Sequence, residues 1–258
     1  MELKNLLIYV NPEKNFDDEH KKLIKIQIEN SLELGWKPED ILLITNFPYE
    51  FMGVKAIEVP DSCFNTIHKQ ATKVDVMTYL FNIGFIKDDL YWLHDLDAYQ
   101  QFPITEEELE LEGIDFGFTD YGREPKCNGG STFLRKTSED LYREMKKKIY
   151  ELNKIIVKKP LNEEDIVMTM FKSNFNNIKQ RAKRLNITYN FGIKQMKLCF
   201  EKSLTRPPLV LHFHPERKYS GWGRAFNIVS TDKNELGRPI MSPRLIKIFN
   251  KYWNDKRN

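Results

Sequence analysis

Apolar residues in this chain fall into short unbroken runs, separated by longer stretches in which they recur every three or four positions. Leu6-Leu7-Ile8-Tyr9-Val10, closed by Asn11-Pro12, predicts a central strand. A helical period follows from Asp17 to Leu34, with Asp17 and Asp18 at its start and Gly35 at its stop. Ile41 to Thr45 predicts a second strand and Val54 to Val59 a third. A helix over Val74 to Asn82, closed by Gly84, leads into the apolar run Leu90 to His94. The order strand, helix, strand, strand, helix, strand predicts an α/β fold with a mostly parallel sheet flanked by helices. Such sheets bind ligands at the carboxyl ends of their strands.

Further along, Thr105-Glu106-Glu107-Glu108 predicts a short helix with Thr105 and Glu108 as a capping box. Strands are expected at Ile114 to Thr119 and Ser131 to Leu134, and helices at Ser138 to Ile156, Asn162 to Phe171 and Asn177 to Leu185. A strand at Pro208 to Phe213, an irregular basic segment and a helix over Ser242 to Trp253 complete the pattern. With no internal repeat, linker or low-complexity tract, the expectation is a single domain over residues 1–258.

Composition changes this picture little. At 41% hydrophobic and 30% charged, the chain is in the range of soluble globular proteins. No apolar run approaches the ~18 residues that span a bilayer, and Met1 to Asn5 carry no signal-peptide core, so a cytoplasmic location is expected. Cys63, Cys127 and Cys199 are odd in number and widely spaced, which fits neither a disulfide framework nor a thiolate zinc site. Charge is more informative. Residues 1–130 hold 12 Lys and Arg against 25 Asp and Glu, whereas residues 131–258 hold 28 against 12. The two halves either attract each other within one fold or the second half faces an anion.

The chemistry starts from Tyr91-Trp92-Leu93-His94-Asp95-Leu96-Asp97-Ala98, an apolar strand that ends on two carboxylates. Burying an unpaired carboxylate costs several kcal/mol. A divalent cation would supply the pairing, and Mg²⁺ or Mn²⁺ on oxygen ligands keeps open positions for phosphates. A turn with two solvated acids is the plain alternative. His94 precedes Asp95 on the strand, so its side chain should point away from the site that Asp95 faces.

The ordered series of such segments resembles the metal-dependent GT-A fold of nucleotide-sugar glycosyltransferases, which carry a D-x-D motif. Leu6 to Asn11 is similar to the first strand of that family, whose end contacts the nucleotide base, and Lys73 to a basic residue near the nucleotide. Tyr91 to Asp97 resembles the D-x-D strand, and Asn128-Gly129-Gly130 the segment passing beneath the donor sugar. Asn162-Glu163-Glu164-Asp165 is similar to the acidic helix start aimed at sugar and acceptor, and Leu209 to Phe213 with Lys218 to the late strand whose His completes the metal site. The usual glycine after that His is here Pro215, and His214 competes with His212 for the ligand role.

The resemblance implies a Rossmann-like sheet, with residues 1–130 as the nucleotide-sugar half and 131–258 as the acceptor-side half. It implies a Mn²⁺ or Mg²⁺ ion on Asp95, Asp97 and His212 or His214, and a donor, UDP-sugar favoured, bound by Asn11, Lys73, Asp95, Asn128, Gly129, Gly130 and Lys218. Asp165 or Glu164 would be the general base if the reaction inverts the anomeric centre. First-turn acids behind an Asn cap are also ordinary helix chemistry, and Asn128-Gly129-Gly130 also reads as a plain turn. His212 and His214 alternate along a strand, so only one readily joins the acids. The acceptor stays open among glycan, protein and nucleic acid; the basic and aromatic residues after Pro215 suit a polyanion such as hydroxymethylated DNA. A sugar nucleotidyltransferase is disfavoured, because Asn11-Pro12-Glu13-Lys14 is not a glycine-rich loop. A non-catalytic nucleotide-sugar-binding module is the remaining rival.

Overall fold

The computed structural model describes residues 3–121, 126–155, 160–192, 208–213 and 241–253. Its central sheet begins with β1 (Leu3–Tyr9), β2 (Ile41–Thr45) and β5 (Ile57–Glu58), after a small hairpin of β3 (Glu50–Phe51) and β4 (Val54–Lys55). The expected strand over Val54 to Val59 is thus divided, its two ends serving different sheets. Next come β6 (Leu90–His94), β7 (Ala98–Gln100), β8 (Phe116–Asp120), β9 (Cys127–Leu134) and β10 (Ala182–Arg184). Two further strands, β11 (Phe191–Gly192) and β12 (Val210–His212), pair outside the main sheet.

The seven-stranded sheet has the order β10-β8-β9-β6-β1-β2-β5. β1 runs parallel to both β2 and β6, while β9 is antiparallel to β6 and β8. The chain starts in mid-sheet, moves outward through β2 to β5, then crosses back to place β6 on the other side of β1. That reversal opens a crevice between the carboxyl ends of β1 and β6. A second sheet, β11-β12-β7, lies beside it.

Seven helices accompany the strands among the described residues: α1 (Asp18–Glu33), α2 (Thr72–Asn82), α3 (Glu106–Leu109), α4 (Glu139–Asn153), α5 (Glu163–Ser173), α6 (Ile178–Arg181) and α7 (Pro243–Trp253). α1 and α7 cover Leu7, Leu43 and Tyr99, whereas α2, α4 and α5 pack around Leu6, Leu93 and Leu134. Asp17 caps α1 through the His20 amide, and both bonds of the Thr105–Glu108 capping box are formed. Among the described residues no helix is long and apolar enough to cross a membrane.

Two expectations are corrected. The helix expected over Asn177 to Leu185 is a single turn, Ile178–Arg181: Asn174, Asn176 and Asn177 in left-handed conformation delay its start, and it ends where Ala182–Arg184 turns extended to pair with Phe116–Phe118. Likewise the strand expected to begin at Ser131 begins at Cys127, so Asn128-Gly129-Gly130 lies within β9 rather than in a turn. The β8–β9 ladder jumps from the pair Phe118–Thr132 to Thr119–Asn128, leaving Gly129, Gly130 and Ser131 without a ladder partner on β8. They stay tied to β6, through His94 opposite Ser131 and the Asp95 amide donating to the Gly130 carbonyl at 3.0 Å.

Candidate functional site

The crevice is a cleft of about 810 Å³, lined by Tyr9, Asn11, Lys73, Asp95, Asp97, Glu163, Glu164 and His212 among others. Asp95 and Asp97 occupy the tight turn from β6 into β7, closed by the Ala98 amide on the Asp95 carbonyl at 3.0 Å. α1 clamps that turn: the Gln27 amide donates to the carbonyls of Leu96 at 3.1 Å and Ala98 at 2.7 Å, and Asn30 to that of Gln100 at 2.8 Å. β7 is a strand the apolar pattern did not predict, and it is what brings the histidine in. β12 pairs with it antiparallel, His212 opposite Ala98, and the Phe213 amide donates to the Asp97 carbonyl at 3.0 Å.

His212 Nε2 consequently lies 3.3 Å from Asp97 Oδ1 and 3.7 Å from Asp95 Oδ2. One ligand atom from each of the three residues falls within 4.8 Å of the others. Burial alone would lower the imidazole pKa, but the charges of Asp97 and Asp95 outweigh it and raise it. On its other side His212 Nδ1 meets Asn190 Oδ1 at 2.9 Å. His214, the alternate ligand, and Lys218 lie outside the described residues, as do Cys199 and the basic stretch after Pro215.

Lys73, in the first turn of α2, reaches Asp95 Oδ1 at 3.0 Å, Glu163 Oε1 at 2.8 Å and the Gly129 carbonyl at 3.0 Å. Its three N–H donors thus have three acceptors. Burial would depress its pKa, yet Asp95 and Glu163 prevail and hold it well above the usual lysine value. Glu163 shifts upward, since burial dominates over the attraction of Lys73. Glu164 accepts from the Gly129 amide at 2.8 Å and the Tyr121 hydroxyl at 2.8 Å. Asp165 pairs with Lys126 at 3.2 Å and does not line the cleft; its backbone amide is capped by Asn162. The acidic start of α5 therefore caps a helix and also faces the crevice, with Glu163 and Glu164 as the inward acids.

The two glycines have a steric reason of their own. A Cβ on Gly130 would lie 1.9 Å from His212 Cε1, and one on Gly129 would lie 2.8 Å from Glu163 Oε1. Their missing side chains make room for the histidine and for the Lys73–Glu163 pair. Asn128 is fully buried behind them, its carbonyl taking the Asn190 amide at 3.4 Å. Asn11 orders the loop beyond β1: its amide nitrogen donates to Tyr9 Oη at 3.2 Å and to the Asn15 carbonyl at 3.0 Å. The Tyr9 ring lies 4.8 Å from that of His20 and 4.7 Å from that of Phe16. His94 also borders the cleft but is taken up by structural contacts: it stacks on Trp92, its Nε2 meets Asn5 Oδ1 at 2.7 Å and its Nδ1 the Asp95 carbonyl at 3.1 Å, and burial pushes its pKa down to about 4. Sequence reasoning missed Asn190, Tyr121, Glu163 as Lys73's partner, and Gln27. Only Glu163 had a signal, its place beside Glu164 behind the Asn162 cap.

No protein-family model matches the chain, and no curated protein matches it in sequence. Solved structures do. The glycosyltransferase GlyE of Streptococcus pneumoniae TIGR4 superposes with a TM-score of 0.56 at 13% identity, over 83% of this chain and 56% of that one. This chain therefore spans little more than half of GlyE. A glycosyltransferase involved in glycosylation of the major capsid of PBCV-1 matches at 0.53 and 13% identity, over 87% of this chain and 98% of the other. The galactosyltransferase LgtC, solved with donor and acceptor sugar analogs, matches at 0.56 and 13%, over 86% and 92%. With the sheet order, the reversed strand and the acid pair at the end of β6, these superpositions establish that the chain has the GT-A fold of the glycosyltransferases.

Proposed function

We propose that this protein transfers a sugar from a nucleoside diphosphate sugar to an acceptor hydroxyl, using a divalent cation held by Asp95, Asp97 and His212. One observation carries the reading: two carboxylates and an imidazole converge at the sheet's reversal point, inside a cleft of about 810 Å³. The donor set fits Mn²⁺ or Mg²⁺. Neighbouring ligands on an octahedral ion with bonds of about 2.1 Å stand roughly 3 Å apart; the histidine nitrogen is 3.3 and 3.7 Å from the two acids. Asp95 also divides its labour, with Oδ1 on Lys73 and Oδ2 toward His212.

When bound, the ion would supply Lewis-acid stabilisation of the departing diphosphate. The rest falls to the chain itself. Lys73 holds Asp95 and Glu163 in place with its three donors, and its positive charge lies at the floor of the cleft where anionic groups would gather. Tyr9, Asn11 and His20 border the end of β1 and would receive the base, so a UDP-sugar is the first donor to test. Glu164 is fixed by Tyr121 and the Gly129 amide, which orients one carboxylate edge beside the donor. Glu164 or Asp165 would accept the acceptor's proton in an inverting reaction, and the inward position of Glu164 favours it.

The test combines binding with turnover. UDP-sugars should raise the melting temperature by mass action only when Mn²⁺ is present, and free UDP should be released on incubation. Asp97→Ala should abolish both effects. Donor hydrolysis by that variant at the parental rate would refute the proposal. A panel of glycan, protein and hydroxymethylated-DNA acceptors then identifies the acceptor class.

A further inference from the structure

His212 would serve a cation only if Nε2, not Nδ1, offers its lone pair toward the acids, and only if the ring is held in one plane. The chain provides for both. Asn190 is fully buried, and its amide has one self-consistent orientation: Nδ2 faces the Asn128 carbonyl at 3.4 Å, which leaves Oδ1 at 2.9 Å from His212 Nδ1. The reverse orientation would set two oxygens against each other. An acceptor opposite Nδ1 keeps a proton on Nδ1, so Nε2, which faces Asp97 and Asp95, is the nitrogen that would exchange its proton for a cation.

The ring plane is fixed from the other side. His212 occupies the volume a Gly130 side chain would take, with its Cε1 1.9 Å from where that Cβ would be. Asn190 itself is anchored: it directly precedes β11, whose Gly192 is paired with His212 on β12. We propose that Asn190, acting across the slot left by Gly130, is the positioning residue that presents His212 Nε2 to the acid pair. It rests on the metal reading of the site, and it adds a fourth residue without which the three ligands are misassembled.

The test uses the full-length protein and Mn²⁺ alone, with no donor. Free Mn²⁺ is followed by its electron paramagnetic resonance during titration, and nitrogen modulation in the electron spin echo reports imidazole coordination. Asn190→Leu should weaken Mn²⁺ binding by about 10- to 100-fold and remove the nitrogen modulation. Asn190→Asp, which keeps an acceptor oxygen opposite Nδ1, should restore both; a purely structural role predicts that a buried charge is no better than Leu. Asn190→Ser, too short to reach the ring, replaces the Leu variant should that one not fold. Asp97→Ala is the control. Loss in Asp97→Ala with parental affinity in Asn190→Leu overturns the role of Asn190 and spares the metal site. Equal losses in the Leu and Asp variants overturn it too. Parental binding in Asp97→Ala, or no Mn²⁺ binding by the unaltered protein, sinks the metal reading itself and this inference with it.

Discussion

Replacing Lys73 with Met, similar in length and without charge, exposes what the ion-pair network contributes. Lys73 Nζ is the shared partner of Asp95 Oδ1 at 3.0 Å and Glu163 Oε1 at 2.8 Å. Glu163 Oε2 is buried and has no hydrogen-bond partner among the described residues, so removal of the lysine strips this carboxylate of the counter-charge it has there. Breaking a buried pair from one side costs about 3–5 kcal/mol. Asp95 is 39% exposed and stays partly hydrated, which places the expected loss near the lower figure, about 3 kcal/mol. For a chain of this size that is roughly 6–12 °C in melting temperature. The pH dependence follows from Glu163, whose folded pKa is already raised by burial and would rise further without Lys73. A carboxyl with a raised folded pKa is penalised once pH exceeds its unfolded value, and the penalty is complete above the folded one. The variant's deficit should therefore be large at pH 8 and smaller at pH 5, while Lys73 in the parent is charged at both. Urea unfolding of parent and variant at the two pH values measures it. A deficit below about 1 kcal/mol at pH 8, or one that grows on acidification, would refute the assignment of a desolvated pair.

Other perturbations test separate contacts. Gly130→Ala drives a methyl into the His212 ring and should weaken Mn²⁺ binding by at least about 10-fold in a titration; unchanged affinity would show that the histidine is not held in that slot. Gln27→Leu leaves the Leu96 and Ala98 carbonyls without their donor and should cost about 1–3 kcal/mol by urea unfolding, with a loss under half a kcal/mol contradicting the clamp. Tyr121→Phe removes one donor from Glu164 but not the Gly129 amide, so donor turnover should fall while Mn²⁺ affinity holds; a parallel loss of both would place Tyr121 with the metal ligands instead.

The elements most legible in the sequence were those whose signal is local. Strands at Leu6, Ile41 and Leu90 are continuous apolar runs because the sheet buries both their faces, and the Thr105–Glu108 box forms within one helical turn. The acid pair was visible because charge at the end of such a run is anomalous. What escaped was set by partners distant in sequence. Ala98 to Gln100 is a strand only because Val210 to His212 lies against it, and Ala182 to Arg184 only because Phe116 to Phe118 offers an edge. Gly129 and Gly130 read either as a turn or as a backbone stretch under a bound sugar, because nothing nearby in the chain reveals that the volume they leave is filled by Glu163 and His212. Asn190 carries no motif; its place beside the histidine exists only once β11 and β12 have paired.

The acids lie in the turn from β6 of the main sheet into β7, and the imidazole joins them only through β12, which pairs with β7 from far along the chain. No short fragment contains all three, and closing the long loop between them is costly until the intervening helices have docked. A molecule arrested with β1, β2 and β6 in register but β12 astray would own two acids and Lys73 and grip a divalent ion no better than any surface pair of carboxylates. On the proposed metal reading, cation uptake would therefore report completed folding: only chains with β12 in place would be armed, and misassembled ones would stay chemically inert.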